Sequence, residues 1–125
     1  MIHFDVEVDE PSASWSSGWS SASLDSYIGG KVRWSRTTNA TATFTFKGTN
    51  IAVVGPVGST RGKAKVYLDG VYQGTLDAYA SSFASRRVLY AAAVPSGTHR
   101  LTVKVSGTAG HPVVAIDAWY VEAPG

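Results

Sequence analysis

Two-residue alternation of apolar and polar side chains recurs along this chain and commits it to strands. In residues 41–46, Ala42, Phe44 and Phe46 fall on one face and Thr41, Thr43 and Thr45 on the other. Leu101, Val103 and Val105 alternate with Thr102 and Lys104, and Ile2, Phe4, Val6 and Val8 with His3, Asp5, Glu7 and Asp9. Successive side chains of a strand point to opposite faces, so each such segment buries one face and wets the other. Further strands are predicted near 13–19, 30–35, 50–55, 63–68, 71–76, 86–93 and 113–121. The one short helix candidate, 24–28, sits among Ser and Gly. About ten short strands separated by turn residues predict an all-β fold, an antiparallel jelly-roll sandwich.

Composition narrows the function classes. The 125 residues suffice for one core, so a single domain over 1–125 is expected, an excised module of a larger protein. No cysteine is present, which removes disulfides, thiolate catalysis and zinc–sulfur sites. Eleven basic against nine acidic residues is too slight a bias to argue for nucleic acid. No apolar run approaches the roughly 20 residues that cross a bilayer, so no membrane insertion is expected. The first residues, Met-Ile-His-Phe-Asp-Val-Glu, lack the basic-then-apolar order of a signal peptide.

The connections are of two kinds. Gly48-Thr49, Asp69-Gly70 and Pro95-Ser96-Gly97 read as tight reversals, Asp-Gly because both positions tolerate positive φ. The segments 36–39, 56–62, 77–85 and 107–112 are longer. Antiparallel strands reverse direction each time, so alternate connections share an end. Counting from the strand at 41–47, the tight turns fall at one end and all four longer loops at the other. Loops gathered at one end of a rigid sandwich are where binding sites usually sit.

That end is predicted to carry Trp34, Arg36, Asn39, Arg61, Asp77, Tyr79, Phe83, Arg86, Arg87 and His111. A guanidinium donates two parallel hydrogen bonds to a carboxylate, a sulfate or a vicinal diol, and an aromatic ring offers an apolar plate to the C–H face of a sugar. A glycan site needs that pairing, and the candidate ligand-binding residues are Arg36, Arg61, Tyr79, Phe83, Arg86 and His111. The competing structural reading makes Arg86 and Arg87 solvated strand-edge charges, with Asp77 paired to one of them. Trp34, Trp15 and Trp19 are expected in the core, the last two four apart on one extended face, whereas Trp119 could point outward beside Asp117. Tyr67 and Tyr72 flank the Asp69-Gly70 turn and would pair across the hairpin as a flat aromatic platform.

Catalysis finds little in the sequence: no nucleophile elbow, zinc-binding helix motif or phosphate loop is present. His99 reads as an ordinary strand-start position. Asp5, Glu7 and Asp117, on the first and last strands, could supply hard oxygen ligands to a structural Ca²⁺, against a reading as solvated edge carboxylates.

From Gly29 onward the chain resembles galactose-binding-like jelly-roll domains, the accessory domains of bacterial secreted enzymes and surface proteins. The resemblance rests on Gly29-Gly30, residues 42–49, 51–55 and 62–70, Thr75-Leu76-Asp77-Ala78-Tyr79, residues 95–101 and Ile116-Asp117-Ala118. It implies a non-catalytic carbohydrate-binding module, secreted or at the cell surface, with a polysaccharide or glycan as partner. It specifies the scaffold and transfers no set of sugar contacts. The alternative is a structural or oligomerising sandwich of a surface or phage-fibre protein, a homo-oligomer with its loops buried; a peptide or protein ligand for the same loops is a third reading.

Overall fold

The computed structural model describes residues 6–9, 14–23 and 31–122, which form ten strands and no helix. They are β1 (Val6–Asp9), β2 (Ser14–Trp15), β3 (Ser20–Ser23), β4 (Lys31–Ser35), β5 (Thr41–Val57), β6 (Lys63–Leu68), β7 (Val71–Asp77), β8 (Ala84–Val105), β9 (Val114–Ile116) and β10 (Ala118–Glu122). Strand pairing is antiparallel throughout, in the order β1-β10-β5-β8-β6-β7 with β2 added beside β5, and in a smaller sheet β3-β4-β9. The domain is an all-β antiparallel sandwich. The helix candidate at 24–28 lies outside the described residues.

Two long strands organise everything else. β5 and β8 pair from Thr41↔Lys104 to Gly48↔Gly97, break register, and resume from Asn50↔Ala93. Residues 94–96 there oppose Thr49 alone, and such a bulge bends a ribbon. Gly48-Thr49 and Pro95-Ser96-Gly97, expected as reversals, are therefore the bend of one continuous ribbon. Before the bend the ribbon extends through β6 and β7; beyond it, through β10 and β1. The two halves face each other, for Phe44 of the first half stacks on Trp119 of β10 with ring centroids 5.0 Å apart and planes 14° from parallel.

The alternating apolar faces fill the space between. Phe44, Phe46, Val66, Leu101, Val103 and Trp119 form part of one core cluster, and each fully buried large side chain adds roughly 1.5–3 kcal/mol of transfer free energy. Trp119, expected to be able to point outward, is wholly buried, as is Asp117. β10 lies between β1 and β5 with cover on both faces, so alternation there does not separate inside from outside. Trp15 and Trp19 meet edge-on at 4.9 Å and are half-buried against the core, but a turn through Gly18 (φ 97°), not one extended strand, brings them together. Trp34 packs on a small satellite cluster of Val32 and Ala115.

Candidate functional site

The four long connections are laced into one rim by backbone hydrogen bonds. Gly58 N–H donates to the Ala78 carbonyl (3.1 Å) and Ala80 N–H returns to Gly58 (3.0 Å), joining the loop after β5 to the loop after β7. Gly62 N–H donates to Val113 (2.8 Å) and Val113 N–H to Thr60 (3.0 Å), tying in the loop before β9. Asn39 N–H donates to Val105 (2.8 Å), which brings in the loop after β4. The approach at Gly62 is so close that a Cβ there would collide with the carbonyl oxygen of His111, and only glycine fits.

On this rim Tyr79 is half exposed (50%), and its ring lies 4.8 Å from that of His111 at 50°. The loop sequence places it: Asp77 Oδ1 accepts the Tyr79 backbone N–H at 3.0 Å, a local turn that fixes the chain two residues on. His111 is held in turn by the Arg61 carbonyl, 2.8 Å from its Nδ1. Phe83, also half exposed, lies across Gly58, whose added Cβ would meet the Phe83 ring at 3.7 Å and the Arg61 Cγ at 3.9 Å. Phe83 and Arg61 therefore flank Gly58, which is bridged to Tyr79, while His111 closes on Gly62. Arg61 Nη1 donates to Thr60 Oγ1 at 2.9 Å, while its buried Nε has no hydrogen-bond partner among the described residues.

Arg36 and Arg86 occupy the flanks. Arg36 follows Ser35, whose register partner Val114 adjoins the Val113 that is bridged to Arg61. Arg86 sits at another of the three register breaks between β5 and β8 with φ 56°, a left-handed conformation rare for a long side chain. Asp77, weighed in the sequence as an ion-pair partner of Arg86 or Arg87, serves the Tyr79 turn.

For calcium, β1 does run beside β10, but Asp5 and the Glu7 side chain lie outside what is described, and Asp117 is wholly buried. No group of three His, Asp or Glu suited to a metal occurs among the described residues.

The sequence missed a second polar constellation, away from the rim. A groove of about 280 Å³ is lined by Thr45, Asp69, Thr98, His99 and Arg100. Within it His99 Nδ1 is 2.6 Å from Asp69 Oδ2 and Nε2 is 2.6 Å from the Pro95 carbonyl, while Arg100 N–H donates to Asp69 Oδ1 at 2.8 Å. The hydrogen bond to Asp69 raises the pKa of His99, reinforced by the Pro95 carbonyl; the same contact, then the Arg100 N–H, lowers that of Asp69. Beside the groove Tyr67 and Tyr72 pair in register, as the Asp-Gly turn predicts. Their rings meet edge-to-face at 5.7 Å and 62°, a corner where a flat platform was expected.

Comparison with known proteins supplies the context of this geometry. No family model matches the chain. It is 32% identical over 100 residues, 78% of its length, to an A type blood N-acetyl-α-D-galactosamine deacetylase of Flavonifractor plautii. It is 31% identical over 105 residues, 84% of its length, to an A type blood α-D-galactosamine galactosaminidase of the same organism. The chain spans only 13% and 9% of those two proteins. Among solved structures, a cycloisomaltooligosaccharide glucanotransferase of Paenibacillus sp. in complex with cycloisomaltoheptaose superposes with a TM-score of 0.71 at 13% identity, over 93% of this chain and 18% of that one. The CBM36-1 domain of a multidomain xylanase from the hindgut metagenome of Trinervitermes trinervoides matches with a TM-score of 0.65 at 16% identity, over 96% of this chain and 98% of that one. The chain thus has the β-sandwich fold found in a carbohydrate-binding-module domain and in several enzymes that act on glycans.

Proposed function

We propose that this domain is a non-catalytic carbohydrate-binding module of the galactose-binding-like type, working outside the cell as one part of a longer chain. Its site is the loop rim. Tyr79, braced by His111, and Phe83 offer apolar faces to a sugar ring, while Arg61, flanked by Arg36 and Arg86, donates to hydroxyl or acidic substituents. The observation that carries this reading is the half-exposed Tyr79 ring, fixed at 4.8 Å from His111 beside an equally exposed Phe83. Loops that leave large rings in water, on a scaffold that positions them rigidly, are suited to recognition. The blood-group-directed relatives support a host-glycan ligand carrying galactosamine or a related sugar.

A glycan array followed by titration calorimetry tests it. The domain should bind a defined set of glycans, and Tyr79→Ala should weaken that binding at least about tenfold, the loss expected of an aromatic anchor, with an unchanged melting curve. Full affinity in Tyr79→Ala, or silence across the array, would remove the rim as the binding site.

A further inference from the structure

The outer face of the first half of the ribbon is unlike an ordinary solvated sheet. Register places Tyr72, Tyr67, Thr102 and Thr43 in one row across β7, β6, β8 and β5. Thr43 and Thr102 approach to 3.4 Å through their hydroxyls, and Tyr72 Oη is 2.8 Å from Thr75 Oγ1. Two residues along the strands on one side, Lys65 and Lys104 stand opposite each other; two residues on the other side, Arg100 stands opposite Thr45 in the groove. Rows of that kind lie roughly 7 Å apart, and strands about 4.8 Å apart. An aromatic and hydroxyl row is therefore flanked by cations on both edges.

Cations outnumber carboxylates on this face: Lys65, Lys104 and Arg100 stand against Asp69, which shares the groove with Arg100. All eleven lysines and arginines fall between Lys31 and Lys104, and the only carboxylates in that span are Asp69 and Asp77. Both are engaged by the chain itself, Asp69 by His99 and the Arg100 N–H, Asp77 by the Tyr79 N–H.

We infer that this face is a second binding surface, separate from the loop rim, for a linear β-1,4-linked uronic-acid polysaccharide lying across the strands. The strand spacing is close to the rise of an extended pyranose chain, so each sugar covers about one strand. A β-1,4 ribbon of near two-fold symmetry turns successive carboxylates to opposite edges, which matches cations on both sides of the row. Tyr67 and Tyr72 form a corner that receives the C–H face of one sugar, and Arg100, in the groove where Asp69 is already taken by His99 and the Arg100 backbone N–H, meets the next carboxylate. A neutral chain would satisfy the rings and leave the cations unused; a densely sulfated one would find too few apolar partners besides the charges.

Titration of the whole domain with β-1,4-linked glucuronate oligosaccharides and with the uncharged β-1,4-glucose oligomers of equal length tests this. The uronate is expected to bind at least tenfold more tightly, with affinity falling as salt rises. The double variant Tyr67→Ala/Tyr72→Ala, and separately Lys65→Gln/Lys104→Gln, should each lose at least about tenfold while keeping the native melting curve; Tyr79→Ala should bind uronate normally. No preference for the uronate overturns the inference. So does uronate binding that survives loss of both tyrosines, which would make it diffuse charge attraction, or binding that is lost with Tyr79 and kept in the sheet variants. Should Tyr79→Ala leave array binding intact while the sheet variants lose uronate, the rim reading fails and this one stands.

Discussion

His99 and Asp69, thirty residues apart in the chain, meet with Nδ1 of the ring 2.6 Å from Oδ2 of the carboxylate, and the other ring nitrogen is 2.6 Å from the Pro95 carbonyl oxygen. Both nitrogens face acceptors, so only the doubly protonated imidazolium can donate to both. The pair clasps the β6–β7 turn to β8 just after the bend.

This fixes a pH dependence. His99 is raised above its ordinary 6.5, so its contribution is complete below about pH 6.5 and is lost as pH climbs through the folded-state value. Asp69 is lowered below its ordinary 3.8, so its share is present above that value and lost as pH falls through the folded-state value. Melting temperature should be highest between about pH 4 and 6.5 and decline on the alkaline side. In His99→Gln the alkaline decline attributable to this pair should vanish; an unchanged pH profile would show the clasp contributes nothing.

Asp77 positions Tyr79 through its backbone N–H, so under the rim proposal it is a positioning residue for recognition. Asp77→Ala removes the acceptor that sets the loop, and glycan affinity at the rim should drop several-fold with little change in melting temperature. Asp77→Asn keeps an oxygen in place and should restore binding. Calorimetry on the two variants separates turn geometry from charge: equal losses in both would assign the effect to charge.

Gly62 has no room for a side chain. Gly62→Ala forces the His111 carbonyl aside, an overpacking expected to cost about 1–3 kcal/mol. Thermal denaturation reads the loss, and rim binding should weaken alongside it because His111 braces Tyr79. A native melting temperature in this variant would contradict the tight lacing of the loops.

Trp119 sits at the centre of the core, and its indole N–H has no partner among the described residues. Trp119→Ala should lose about 3–5 kcal/mol. Trp119→Phe should lose far less, because removing a buried donor without an acceptor relieves a penalty of roughly 1–3 kcal/mol that offsets the smaller ring. Denaturant titration of both variants decides it; equal losses would show that the N–H is satisfied.

Strand alternation made the inner and outer faces of β5, β6 and the end of β8 legible, since each has one wet side. The Asp69-Gly70 hairpin and the Tyr67–Tyr72 pair were readable for the same local reason. Gly48-Thr49 and Pro95-Ser96-Gly97 misled because turn-forming residues mark a change of direction without saying whether the chain reverses or bends; only their position opposite one another in the ribbon decides. Trp119 was misread because β10 is covered on both sides. The His99–Asp69 clasp depends on Leu68 standing opposite Leu101, a long-range register no local pattern announces. At the rim, the residues were visible in the sequence, whereas the Asp77 turn and the His111 brace needed coordinates.

Because β5 and β8 each run from one half of the larger sheet into the other, that sheet has no seam between its halves. Slack in either half is carried by covalent backbone into its opposite, and the loops at the rim inherit the stiffness of both. Loosening one half of the bent ribbon therefore strains the other, because the same two strands form the middle of both.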